Sequence, residues 1–212
     1  MEIELKYSLS PGDAEKILQD HFVLEHACDT INIHYMHSIY YDTSNGILEN
    51  AGGALRLRYE GKVPIENGSA DDYVCCFKRK RFDKEGFSRR DEFETQASDI
   101  VSGIRGLLAK GAPAEILEPC LTEELCNTAE VVFERRYIPI RIGSTVIELA
   151  IDQGFFPGAN RASVPLNELE LELKDGCEQE LLLFGTYLEN TFHICPETRS
   201  KYARARAARC GK

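Results

Sequence analysis

Three glutamates alternate with leucines in Glu168-Leu169-Glu170-Leu171-Glu172, and Glu2, Glu4 and Lys6 alternate with Ile3 and Leu5. Successive side chains of a β-strand point to opposite faces, so each segment gathers its charges on one face. Carboxylates crowded side by side destabilise one another's ionised form. Such a set is kept where divalent cations or a dense group of bases neutralises it. The arrangement reads as a site for metal and phosphate, and matching bases recur at the same spacing. Arg56 and Arg58 share a face, as do Lys78 and Lys80. Arg90 alternates with Glu92 and Glu94, Arg135 with Phe133 and Tyr137, and Glu148 with Ala150 and Asp152.

These residues need strands to position them, and strand patterns dominate the chain. Alternation predicts strands over 2–9, 31–42, 54–60, 73–81, 87–95, 131–142, 145–152 and 166–174. A long polar hairpin loop is expected at 61–72, and turns at Ser44-Asn45-Gly46, near Asp83-Lys84-Glu85-Gly86 and at Gly143-Ser144. Helices are expected between them. One runs from a Ser10 cap to about His21 and one from a Ser98 cap to Lys110 before Gly111. A short one covers 119–127, another 178–192, and a basic, Ala-rich one Arg199 to Cys210. No repeat or linker marks a boundary, so residues 1–212 read as one domain with the segment from about 178 packing on the sheet.

The bases sit in an acidic chain. The 212 residues are 43% hydrophobic and 28% charged, with a formal net charge of −10. That balance fits a soluble globular protein and argues against nucleic acid as partner. It says nothing of a local basic cluster, which can bind a small anion. No run of eighteen apolar residues predicts a membrane span, and no signal-peptide pattern opens the chain. Eight cysteines lack C-x-x-C spacing, and we read them as reduced and structural in a cytoplasmic protein. The five histidines lack ligand spacing and read as surface or packing residues. Tyr41 and Asp42 read as shaping a strand-to-turn junction.

For one strand, alternating charge is what any solvated sheet face presents. Taken together, the charged positions are almost purely Arg, Lys and Glu. Acids concentrate in 2–6 and 166–172, and bases in 54–58 and 78–80. A sheet closed into a barrel with a charged interior, its apolar outer face covered by helices, fits this better. The fold class expected is therefore α+β, with an antiparallel barrel.

The ordered set Glu2-x-Glu4-x-Lys6, Tyr41-Asp42-Thr43, Leu55-Arg56-Leu57-Arg58, Lys78 with Lys80, Arg90-Asp91-Glu92 and Phe133-Glu134-Arg135 resembles the CYTH superfamily, the triphosphate tunnel metalloenzymes. The match continues through Glu148 with Asp152-Gln153-Gly154, Glu168-x-Glu170-x-Glu172 and Ser200-Lys201, and is most similar to the bacterial inorganic triphosphatase branch. The resemblance implies an eight-stranded antiparallel barrel forming a tunnel. Its bases would hold a triphosphate and its glutamates Mg²⁺ or Mn²⁺. Carried onto this chain, Lys6, Arg56, Arg58, Lys78, Lys80, Arg90, Arg135 and Lys201 form the phosphate cradle. Glu2, Glu4, Glu170 and Glu172 are the metal ligands, with Asp152 and Glu168 binding a second ion or orienting water. A second metal ion, or a carboxylate such as Glu4 or Glu172, would activate the attacking water, and Lys6 and Lys201 serve catalysis as well as binding. Glu85 carries no role. The activity implied is hydrolysis of tripolyphosphate to pyrophosphate and orthophosphate by a monomer or weak dimer. Thiamine triphosphatase, class IV adenylyl cyclase and a non-catalytic polyphosphate-binding module are the alternatives.

Overall fold

The computed structural model describes residues 2–84, 87–159 and 162–211. Eight long strands run in chain order: β1 Glu2–Ser8, β2 Asn32–Thr43, β3 Gly53–Gly61, β4 Tyr73–Lys84, β5 Phe87–Gln96, β6 Leu125–Ile142, β7 Thr145–Pro157 and β8 Ser163–Asp175. They pair in the order β5-β4-β3-β2-β6-β7-β8-β1, and β1 also pairs with β5. That last pairing closes an eight-stranded antiparallel barrel. Strand β1 makes the closure by dividing its length. Glu2 to Leu5 pair with Arg90 to Phe87, while Glu4 to Ser8 pair with Glu172 to Glu168. A two-residue strand, β9 (Cys195–Pro196), takes the free edge of Tyr7 and Ser8. Closure in this way removes the open edges that a flat sheet would present.

The apolar residues that alternate with the charges form the outer face, and helices cover it. Helices α1 (Asp13–Leu18), α2 (His21–His26) and α6 (Glu178–Phe192) bury Ile17, Val23, Leu181, Phe184 and Leu188 against Leu5, Ile147, Leu149, Ile151 and Leu171. Around the barrel, α3 (Ile47–Asn50), α4 (Ile100–Ala109) and α5 (Ala114–Leu117) pack Leu48, Ile104, Leu107 and Leu117 on Leu55, Cys75 and Phe77. Fully burying each such aliphatic or aromatic side chain contributes roughly 1.5–3 kcal/mol. The seventh helix, α7 (Lys201–Arg209), instead seats Ala205 and Ala208 on Met36, Val131, Phe133, Phe156 and Leu166, which share strand faces with the inward residues Tyr40, Arg135, Glu148 and Glu170. Among the described residues no helix is long and apolar enough to cross a membrane.

Several boundaries differ from expectation. The first helix is two short ones, because Asp20 accepts from the Val23 amide at 3.1 Å and starts a new helix. Gly12, not Ser10, stands at the N-cap of α1, while the Ser10 amide donates to Asp13 Oδ2 at 2.9 Å. Asp99 replaces Ser98 as the cap of α4, accepting from the Val101 and Ser102 amides at 3.0 and 2.9 Å. No helix covers 119–127. A single 3₁₀ turn at Pro119–Leu121 leads into β6, whose first residues pair with Thr43 and Asp42 of β2. Two further 3₁₀ turns interrupt the 61–72 loop. Strand β4 continues through Lys84, and Glu85 and Gly86 of the expected turn lie outside the described residues. Asp42 shapes its junction as expected, taking the amides of Thr43, Leu48 and Glu49 at 2.8, 2.9 and 3.0 Å. All eight cysteines are free, but only Cys75, Cys76 and Cys120 are buried; the other five are exposed.

Candidate active site

The inner wall is the charged face of seven of the eight strands, with β2 contributing the uncharged Tyr40. It encloses a cavity of about 660 Å³. Its lining includes nine carboxylates and ten lysines or arginines, so the chain's net negative charge lies elsewhere. An acidic protein thus presents an electrically balanced interior that can take an anion and a cation together.

Strand register sets the layout. Glu148, Glu172 and Glu4 stand in one row across β7, β8 and β1. The next row is Ala150, Glu170 and Lys6, and the next Asp152, Glu168 and Ser8. On the opposite wall Arg56 faces Cys76, Lys78 faces Glu92 and Lys80 faces Arg90. Directly opposed side chains have Cβ atoms about 4.5–5.5 Å apart, and like charges there are destabilising. The Glu148–Glu172–Glu4 row and the Lys80–Arg90 pair are therefore costly unless a counter-charge joins them.

The protein supplies part of that counter-charge. Lys78 Nζ is 2.6 Å from Glu2 Oε1 and 3.0 Å from Glu92. Glu4 Oε1 takes Lys6 at 3.2 Å and Arg90 at 3.0 Å. Lys174 sits 2.8 Å from Glu172 and 3.5 Å from Glu148. Arg135 grips Asp152 through Nε and Nη2, both at 2.7 Å, and also pairs with Glu170. Lys201, reaching in from the start of α7, is 2.7 Å from Asp152 and 2.8 Å from Glu170, and touches Glu168. Arg204 holds the other Glu168 oxygen at 2.5 Å. Ser200 caps α7 by accepting from the Ala203 amide, which sets where Lys201 points.

The titration of these groups follows their surroundings. Burial pushes the Glu168 carboxyl up to about 7, against the pull of Lys201 and Arg204. Burial would raise Glu170 as well, but Lys201, Arg135 and Lys6 hold it well below the ordinary carboxylate range. Glu172 is raised by burial, with Lys174 opposing and Glu2 adding to the rise. Burial works against the ammonium groups of Lys78 and Lys201, yet their carboxylate neighbours hold both above the usual lysine value.

Of the residues expected at the site, Glu2, Glu4, Lys6, Arg56, Arg58, Lys78, Lys80, Arg90, Arg135, Glu170, Glu172 and Lys201 all line the one cavity. Asp152 and Glu168 do not. Both are wholly buried behind Glu170, committed to Arg135, Lys201 and Arg204. Among the described residues, Asp152, Glu168 and Glu170 have ligand atoms within 4.8 Å of one another, as do Cys76, Glu92 and Glu94. Sequence reasoning left out Glu60, Glu148 and Lys174 as site residues, and Arg204 behind them. The first and third extend alternations already noticed: Glu60 follows Arg56 and Arg58, and Lys174 follows Glu172. Arg204 lies one helical turn beyond Lys201, a relation visible only once α7 is placed.

Two sets of atoms stand ready for a ligand. The Nε atoms of Arg56 and Arg58 are buried with no acceptor, and Glu2 Oε2 is buried with no donor. Unpaired buried polar atoms are costly, and here the three residues that carry them line one cavity. An anion would satisfy the arginines. A hard divalent cation, which takes oxygen ligands, would satisfy Glu2 Oε2 and the Glu148–Glu172–Glu4 row, so the residues fit a divalent metal ion of the kind the resemblance implies.

A CYTH domain family model matches residues 1–204. An inorganic triphosphatase of Haemophilus influenzae is 26% identical over 191 residues, covering 86% of this chain and 48% of that protein. The chain thus spans about half the length of the curated relative it matches. Among solved structures, an adenylyl cyclase candidate from Hippeastrum with a dominant triphosphatase activity superposes with a TM-score of 0.66 at 21% identity, covering 99% of this chain and 97% of that one. A Bacillus halodurans protein described as an adenylate cyclase candidate gives 0.55 at 13% identity, with 96% of each chain covered. A Pyrococcus horikoshii protein gives 0.54 at 18%, over 94% and 95%. At such identities the structural likenesses speak for the fold alone, and the family match over nearly the whole length carries the assignment: this chain belongs to the CYTH domain family.

Proposed function

We propose that this chain hydrolyses inorganic tripolyphosphate to pyrophosphate and orthophosphate in its tunnel, with Mg²⁺ or Mn²⁺. The observation that carries the reading is one cavity lined both by Arg56 and Arg58, whose Nε atoms are buried without an acceptor, and by a row of carboxylates. Tripolyphosphate is a flexible polyanion with no apolar handle, so its binding must come from charge-assisted hydrogen bonds. Arginine's planar fork grips two phosphate oxygens at once.

In this reading Arg56, Arg58, Lys78, Lys80, Arg90, Arg135, Lys6 and Lys201 hold the three phosphates extended. Glu2, Glu4, Glu170 and Glu172 hold the divalent cation, with Asp152 and Glu168 fixing Lys201 and Arg135 from behind. A bound divalent cation supplies charge neutralisation on the phosphoryl oxygens. Phosphoryl transfer otherwise asks for positioning and an in-line nucleophile. Water attacks a terminal phosphorus, the bond to the bridging oxygen breaks, and pyrophosphate leaves. Glu172, whose carboxyl burial has raised, is the better of the two acidic candidates to take the water's proton, since Glu4 already accepts three donors.

The aromatic residues of the wall favour an inorganic substrate. Lys201 and Arg135 lie over the Phe133 ring at 5.5 and 5.9 Å. Tyr40 packs on Tyr202 with centroids 5.0 Å apart, and Tyr137 meets His34 edge-on at 5.2 Å. These ring contacts are made within the protein, and the chain has no tryptophan. The test is orthophosphate release from tripolyphosphate, thiamine triphosphate and ATP under one metal condition. Tripolyphosphate should be fastest by at least tenfold. A faster organic triphosphate would overturn the substrate, and a cyclic nucleotide from ATP would overturn the reaction.

A further inference from the structure

Glu4 is held by an uncharged group that no charge pattern announces. Ser88 stands opposite Glu4 in the β1–β5 register and is wholly buried. Its hydroxyl donates to Glu4 Oε1 at 3.2 Å. That same oxygen takes Lys6 at 3.2 Å and Arg90 at 3.0 Å. Three donors on one carboxylate oxygen exceed its two lone pairs; all three fall on Oε1. Two residues away Glu2 repeats the arrangement: Oε1 takes Lys78 at 2.6 Å, and Oε2 is buried without a partner. Each carboxylate therefore has one oxygen tied to the wall, and in Glu2 the other is left bare.

The donors on Glu4 differ in what happens when an anion enters. Lys6 and Arg90 line the cavity, and phosphate oxygens compete for their protons. Ser88 does not line the cavity and cannot reach a ligand in it. It also adds no positive charge beside a cation. We infer that Ser88 is a positioning residue for divalent-cation binding. Its hydroxyl holds Glu4 Oε1 to the wall so that Oε2 stays aimed at the ion when the bases turn to the substrate. Partners one shell behind a metal ligand are worth roughly 10–100-fold in metal affinity. The inference rests on the proposed function only in requiring that a divalent cation binds these carboxylates.

The experiment is calorimetric titration of Mn²⁺ into metal-stripped protein without substrate, for wild type, Ser88→Ala and Ser88→Cys. A parallel titration uses tripolyphosphate in the presence of chelator. Ser88→Ala should weaken Mn²⁺ at least tenfold and leave metal-free tripolyphosphate affinity within twofold. Ser88→Cys, which keeps the volume with a weaker donor, should fall between and guards against a folding defect in the alanine variant. Wild-type-like Mn²⁺ affinity in both variants would overturn the role of Ser88 alone. Equal losses for Mn²⁺ and tripolyphosphate would reduce it to a packing residue. A wild-type protein that binds no Mn²⁺ would overturn both this inference and the metal part of the proposed function.

Discussion

Replacing Arg56 and Lys78 separately by methionine distinguishes a base kept for a ligand from one that also holds the barrel together. Arg56 has Glu94 as its nearest carboxylate, at 4.0 Å, and its Nε has no acceptor. Removing it strands nothing, because Glu94 keeps Arg58 at 3.5 Å. Its ion pair with Glu94 is long and made to a carboxylate 40% exposed, and such pairs are worth little, so Arg56→Met should change stability by less than about 1 kcal/mol. Its cost falls on the ligand. A hydrogen bond to a charged group is worth about 1.5–3 kcal/mol, so a two-pronged grip on phosphate gives at least about 3 kcal/mol. At about 1.4 kcal/mol per tenfold that is a loss of about 100-fold in affinity. Lys78 is committed to Glu2 at 2.6 Å and Glu92 at 3.0 Å, and the Glu2 side chain is only 6% exposed. Breaking a buried pair from one side costs about 3–5 kcal/mol, so Lys78→Met should lose stability and affinity together. Urea unfolding and metal-free tripolyphosphate titration read the two quantities. Arg56→Met binding tripolyphosphate within threefold of wild type, or losing as much stability as Lys78→Met, would refute the reasoning.

Three further outcomes follow from the same geometry. Glu94 and Glu170 are held below the ordinary carboxylate value by their bases despite burial. Their stabilisation is present above the unfolded value and lost as pH falls through the lowered ones. Glu168, raised to about 7, acts the other way and weakens the fold as pH rises from 4.5 to 7. A melting temperature that falls on acidification below about pH 4.5 in wild type, and by less in Glu94→Gln, would agree with this; an unchanged acid limb in the variant would not. A Cβ on Gly154 would stand 2.1 Å from the Val132 carbonyl oxygen and 2.5 Å from Phe133 Cα, both backbone. Gly154→Ala should therefore cost roughly 3 kcal/mol or more in urea unfolding, and a loss under about 1 kcal/mol would contradict that packing. Burial pushes the Cys75 and Cys76 thiols up to about 12 and Cys120 up to about 11, so little thiolate is present at about pH 8. Iodoacetamide on native protein should label Cys28, Cys126, Cys177, Cys195 and Cys210 and spare these three by mass spectrometry, with all eight labelled in urea.

The barrel wall was legible because its rule is short-range. Period 2 puts Glu2, Glu4 and Lys6 on one face whatever surrounds them, and the same rule placed Arg56, Arg58 and Glu170. The outward leucines and isoleucines then implied helices to cover them, and α6 falls where its apolar spacing put it. What escaped depends on pairing rather than spacing. Asp152 and Glu168 carry the same alternation as their neighbours, yet the approach of α7 buries them under Lys201 and Arg204. Nothing local says which carboxylates of a run will meet a helix from the far end of the chain. Ser88 gave no signal because its role comes from β1 closing on β5, eighty-four positions away in sequence. The split between α1 and α2 turned on Asp20, a capping side chain inside a run that otherwise continues the helical pattern.

The central claim is that base cradle and carboxylate row act together on a triphosphate. Orthophosphate release from tripolyphosphate by metal-stripped protein, before and after adding Mg²⁺ or Mn²⁺, tests it most directly. No turnover without the ion, turnover with it, and loss of that turnover in Arg56→Met and in Glu172→Gln are the expected results. Release that needs no divalent cation, or none under any of these conditions while tripolyphosphate still binds, would contradict it.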